Sequence, residues 1–205
     1  LFSPVSLVGR LVEEVLRRLS GRPAEEPDEE EAFEDEIRAD WSLACYREGK
    51  MEQSTSLAQK ALALAETSGA SSPLAQVHNL LGVLARADQK PNRASEHLTK
   101  SLDFARLLEN PSAQIAALNH RALAQTDQGD YTLAIATLKD ALEACLKLGD
   151  RHQEAALRNN LADTLRADGQ KESAMEQLKQ AVAIFADIGQ NIEDLEPEIW
   201  KLTEW

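Results

Sequence analysis

Asn79, Asn119 and Asn159 recur at intervals of forty residues within Ala- and Leu-rich stretches. A carboxamide offers two donors and an acceptor, the set needed to pair with both backbone groups of an extended peptide. Asn is disfavoured inside helices because its side chain competes for local backbone groups, so such a ladder calls for compensating partners. Two kinds are open: the main chain of a ligand, or polar groups on neighbouring helices, in which case the ladder fixes the spacing of repeats. Helical geometry places the side chains at i+4 and i+7 on the same face. Asn79 is thereby grouped with Val83 and Arg86, Asn119 with Leu123 and Thr126, and Asn159 with Asp163 and Arg166. His120 and Asn160 stand beside the ladder. Arg86 and Arg166 suit a ligand carboxylate or, on the plainer reading, an ordinary solvated helix face. Thr126 aside, these are the candidate peptide-binding residues.

Other chemistries find little support. There is no Gly-rich phosphate loop, His-Glu-x-x-His, Cys-x-x-Cys or Gly-x-Ser-x-Gly. His78, His97, His120 and His152 share no face, and Cys45 and Cys145 have no Cys or His at ligand spacing, so the cysteines read as small buried hydrophobes in a reducing compartment. No catalytic residue, metal site or cofactor is expected, and a cytoplasmic setting is. The formal net charge is −13, but nine of the twelve residues from Glu25 to Glu36 are acidic, leaving about −4 on the rest. A net negative chain is a poor match for phosphate backbones, so nucleic acid is not an expected partner. Nor is a membrane, because no apolar run is long enough to span one.

The elements that must position the ladder follow from the same period. Gly49, Gln89, Gly129 and Gly169 each close a helix-like run, and Ser54, Ala94, Ala134 and Ala174 follow at the entry of a second run. A further small column is Ala61, Ser101, Ala141 and Ala181. Periods of this length mean stacked supersecondary units, none of which can bury its apolar face alone. With 43% hydrophobic but only 4% aromatic residues, the composition suits Ala/Leu-rich helices rather than strands. The reading is all-α, an α-solenoid of four antiparallel helix pairs at about 33–48 and 51–68, 73–88 and 91–108, 111–128 and 131–148, 151–168 and 171–188. Pro91 and Pro111 suit first helical turns, Asn110 and Asp150 N-caps, and Gly149 and Gly189 helix exits.

Outside this array, residues 1–20 read as an amphipathic helix, with Val8, Leu11, Val12, Val15 and Leu19 at helical spacing. Residues 21–32 are an acidic linker and Phe33 opens the array. Residues 191–205, with Ile199, Trp200, Leu202 and Trp205, are expected to cap the last pair.

The repeats resemble the tetratricopeptide family. The second has His78-x2-Leu81-Gly82-x2-Ala85 followed by Ala94-x3-Leu98, and the fourth Arg158-x2-Leu161-Ala162-x2-Leu165 followed by Ala174-x3-Leu178. The third departs from the pattern: Arg121 stands where Trp41, Leu81 and Leu161 stand, so a charged residue is expected to snorkel out of an apolar groove. The forty-residue period is similar to the longer-helix variant of kinesin light chains, spindle-orientation adaptors and the sensor arrays of bacterial signalling ATPases. The resemblance covers residues 33–190 and implies stacked helical hairpins with a concave groove, lined by the first helix of each pair, that binds a peptide or protein segment. A protein-interaction module is therefore the expected function. Two alternatives are the sensor portion of a larger signalling ATPase or transcription regulator, for which the missing start Met speaks, and a self-assembling structural unit. The N-terminal helix is expected to dock on the array in cis or between molecules.

Overall fold

Among the described residues, 29–68 and 71–190 of the computed structural model, the chain forms eight α-helices and no strand. They are α1 (Glu29–Arg47), α2 (Met51–Ser68), α3 (Ser71–Ala87), α4 (Pro91–Leu107), α5 (Pro111–Gln128), α6 (Tyr131–Leu148), α7 (Arg151–Ala167) and α8 (Lys171–Gln190). The expected N-terminal helix and C-terminal cap lie outside the described residues.

The turns show why the chain breaks where it does. Gly49, Gly129 and Gly169 adopt φ of +74°, +83° and +83°, the left-handed conformation that ends a helix cheaply only without a Cβ. Gln89 holds the same place in the second pair at φ +56°, so the turn is kept at a cost in strain. Between pairs, Gly149 turns the chain at φ +79° and Glu109 at +50°. The Asn110 side chain accepts from the Ala113 amide at 3.1 Å and Asp150 from that of Gln153 at 2.9 Å, each satisfying an orphan donor of the following helix. Pro91 and Pro111 occupy first helical positions, where no N–H is needed.

Two expectations at the ends of the array are corrected. Gly189 does not exit a helix, since α8 continues through it to Gln190; glycine permits a left-handed residue without compelling one. Helix α1 is described from Glu29, four residues ahead of Phe33, so residues 29–32, expected as linker, are helical.

Packing within each pair uses the small columns. Ser54, Ala94 and Ala134 are fully buried, as are Ala61 and Ala141. Ser42 and Ser54 exchange hydroxyl-to-carbonyl hydrogen bonds at 2.7 and 2.8 Å, clamping α1 to α2 without a large side chain between them. Gly82 serves the same purpose in α3: a Cβ there would lie 2.5 Å from Leu98 Cγ, so the Leu98 side chain of α4 packs directly over the glycine. Cys45 and Cys145 are free and buried, and burial raises the Cys145 thiol to about 11.

Between pairs, α1, α3, α5 and α7 pack side by side, whereas the second helices make no comparable contact with one another. The first helices are therefore the inner layer and the second helices fan out around it, which makes the inner face concave. Position in the stack also decides exposure. Leu81 and Leu161 are buried, but Trp41 at the same register is 55% exposed, because no described helix precedes α1 to cover it. Arg121, expected to snorkel out of the groove, is half-buried. Its Nε is buried without a hydrogen-bond partner, and burial, then Arg106 nearby, lower its pKa.

Candidate functional site

The four first helices enclose a cavity of about 200 Å³ on the inner face. Ala39, Leu43 and Tyr46 of α1 line one side, Asn79, Leu80 and Val83 of α3 the floor, Ile115, Ala116, Asn119 and His120 of α5 the far side, and Gln153, Ala156 and Leu157 of α7 the end. Periodicity brings these residues together: the lining recurs on one face of each first helix, and the inner layer sets those faces side by side.

Polar bonds run across the layer with an offset of about one repeat. His120 Nδ1 lies 2.9 Å from Asn79 Oδ1, and Asn160 Nδ2 donates to Asn119 Oδ1 at 2.9 Å. Asn79 thus ties α3 to α5, and Asn119 ties α5 to α7. Arg86 reaches from α3 to Asp127 of α5 at 2.6 Å, and Gln76 from α3 to Asp40 of α1 at 2.8 Å. These bonds set the spacing of the first helices, and with it the width of the groove.

The bond to Asn79 also settles the state of His120. An amide oxygen only accepts, so Nδ1 carries the proton and Nε2 is left as an acceptor. Burial, and secondarily the nearby Arg86 charge, lower its pKa to about 4, so the ring is neutral at neutral pH. Gln153 contributes another acceptor: its Oε1 is buried and has no partner. No carboxylate lines the cavity.

Of the residues singled out in the sequence, Asn79, Val83, Asn119 and His120 line this cavity. Asn160 is buried behind it on Asn119, and Leu123 and Asn159 are half-buried. Asp163 and Arg166 are exposed and pair with each other at 3.0 Å, one turn apart on α7. The residues that sequence reasoning missed include Gln76, Ala116 and Ala156, one turn before the Asn ladder, Ala39, its member in the first pair, and Gln153 at the start of α7. Extending the ladder's face by one turn and one repeat finds the first four, but small apolar residues announce no chemistry.

A two-layered helical solenoid with a lined inner groove is the architecture of tetratricopeptide arrays, and the comparisons bear this out. Residues 114–187, spanning α5 to α8, match the family model described as tetratricopeptide repeat. No curated protein matches the chain. Among solved structures, BtubC (BKLC) from P. vanneervenii matches with a TM-score of 0.69 at 19% identity, covering 93% of this chain and 76% of that one. The nearly identical TPR-like repeats of a kinesin light chain from Podosopora anserina match with a TM-score of 0.60 at 22% identity, covering 88% of this chain and 86% of that one. A Rap protein complexed with competence and sporulation factor matches with a TM-score of 0.64 at 17% identity, covering 75% of this chain. The chain spans 43% of that Rap protein. At such identities these likenesses show the fold, a stack of tetratricopeptide-like pairs.

Proposed function

We propose that this solenoid is a protein-interaction module whose inner groove binds a segment of a partner protein. The observation that carries the reading is the cavity shared by all four first helices, lined by apolar side chains together with amides and a neutral imidazole. Such a surface pairs with main-chain groups while burying a side chain, as ligand sites generally do. A Rap protein of similar fold is known in complex with competence and sporulation factor, so the architecture is compatible with a bound ligand.

The test is selection of peptides from a displayed random library against the full chain, followed by titration of variants. Val83→Glu places a charge on the cavity floor and is expected to weaken selected peptides at least tenfold. Leu133→Glu, on the exposed outer face of α6, is expected to leave them unchanged. Peptides indifferent to Val83→Glu but lost with Leu133→Glu would move binding to the outer face and overturn the reading.

A further inference from the structure

The cavity shared by the four first helices has a size and chemistry of its own. We infer that it is an anchor pocket for a single uncharged side chain of the partner, about the size of a phenyl ring, presented next to a main-chain N–H. The inference rests on the groove reading above and specifies it.

Size comes first. An apolar cavity of about 150 Å³ is enough to hold a benzene-sized group, and this one measures about 200 Å³. It fits one large side chain and excludes a second. The space exists because Ala39, Ala116 and Ala156 on three different helices stop at Cβ where longer side chains would meet.

Charge decides what enters. Leu43, Leu80, Val83, Ile115 and Leu157 are among the apolar residues of the lining, and no carboxylate is present there to receive a cation. Arg47 is the only cationic residue in the lining, and it is already engaged in an interaction within the chain. A carboxylate brought here would lose its hydration without a dedicated partner, and an ammonium would meet no counter-charge. Both are disfavoured against an apolar group, which gains from every area of wall it covers.

Hydrogen bonding decides how the anchor is presented. Two acceptors among the cavity residues are open: the unpartnered buried Oε1 of Gln153, and Nε2 of His120, whose Nδ1 is engaged with Asn79. A buried acceptor without a donor costs free energy until one arrives. A main-chain N–H beside the anchor supplies it, and a ligand lacking N–H groups does not.

The experiment titrates the full chain with N-acetyl-L-phenylalanine N-methylamide and, separately, with N-acetyl-L-aspartic acid N-methylamide. The phenylalanine compound is expected to bind with a Kd on the order of 1 mM, as suits so few atoms, and the aspartate compound at least tenfold more weakly. Ala116→Leu, which fills the cavity, is expected to abolish the difference, with the wild-type helical circular dichroism as the check on folding. Should Ala116→Leu fail to fold, Ala116→Met serves in its place and methyl shifts of Ile115 and Leu157 on adding the phenylalanine compound give an independent reading. Equal binding of both compounds, or unimpaired binding to the filled variant, overturns the anchor pocket. If library-selected peptides bind Ala116→Leu normally yet are lost with Val83→Glu, the groove reading stands and the pocket falls. If neither peptides nor compounds bind, both fall. Self-association of the chain that Ala116→Leu abolishes, seen by light scattering without any ligand, would assign the pocket to a second copy and also overturn the proposal.

Discussion

Asn119 and Asn159 occupy one column of the repeat but have different surroundings. Asn119 is buried and receives Asn160 Nδ2, whereas Asn159 is half-buried and makes no side-chain hydrogen bond among the described residues. Asn119→Ala leaves the buried Asn160 amide without its acceptor, so unfolding should cost about 1–3 kcal/mol less free energy than in the wild type. Asn159→Ala should stay within about 0.5 kcal/mol. Urea titration checks both, and equal losses would contradict the asymmetry. His120 adds a dependence on pH. Its folded pKa of about 4 lies below the ordinary value near 6.5, so between these pH values the unfolded chain binds a proton that the folded chain refuses. The contribution is complete above about pH 6.5 and is lost as pH falls toward 4, amounting to about 1–3 kcal/mol. His78, lowered to about 4 by burial and then by His97, acts in the same direction. Melting temperature should therefore fall from pH 7 to 4.5, and His120→Gln should flatten that slope. An unaltered slope in both His120→Gln and His78→Gln would contradict the assignment.

At the scale of the element, repeat register accounts for most of what was legible in the sequence. Pro91, Pro111, Asn110 and Asp150 mark helix starts by local chemistry that needs no tertiary context, and each stands where it was expected. Gln89 shows register overruling residue type: its neighbours in the column are glycines, yet it takes the same left-handed turn at φ +56°. Gln89→Gly should relieve that strain and stabilise the fold by about 0.5–1 kcal/mol, after the extra chain entropy of glycine is deducted; a lower melting temperature would show that the side chain contributes more than the strain costs. What stayed illegible depends on which surfaces are covered. Trp41 and Arg121 sit at a column otherwise filled by buried leucines, but burial there requires a preceding second helix, and accommodating Arg121 requires room between α4 and α6. The same reasoning applies to α8. Leu178 and Val182 are 40% and 58% exposed, while Leu138, at the register of Leu178, is fully buried in a cluster with Leu157 and Leu161 of the next helix. Residues 191–205 begin where the register places the next first helix, so their removal is expected to lower the melting temperature and promote association. A truncated chain that stays monomeric and melts normally would show that they do not cover this face.

On the scale of the molecule, the pairs stack so that each first helix contacts those beside it, and small adjustments between repeats set the shape of the whole inner face. The cross-layer bonds Asn79–His120, Asn119–Asn160 and Arg86–Asp127 hold that face at a fixed width, so the ladder serves the groove by spacing its walls as well as by lining them. The candidate site was legible where it uses polar residues with a period, and silent where it depends on alanines leaving space, because the absence of a side chain is chemistry only once the helices are assembled. Whether the inner face binds is read most directly by backbone amide hydrogen exchange of the full chain with and without a library-selected peptide. Binding in the groove predicts slowed exchange in α3, α5 and α7 around Asn79, Asn119 and Ala156, with α4 and α6 unchanged on their outer faces. Protection confined to α2, α4 and α6 would contradict the account.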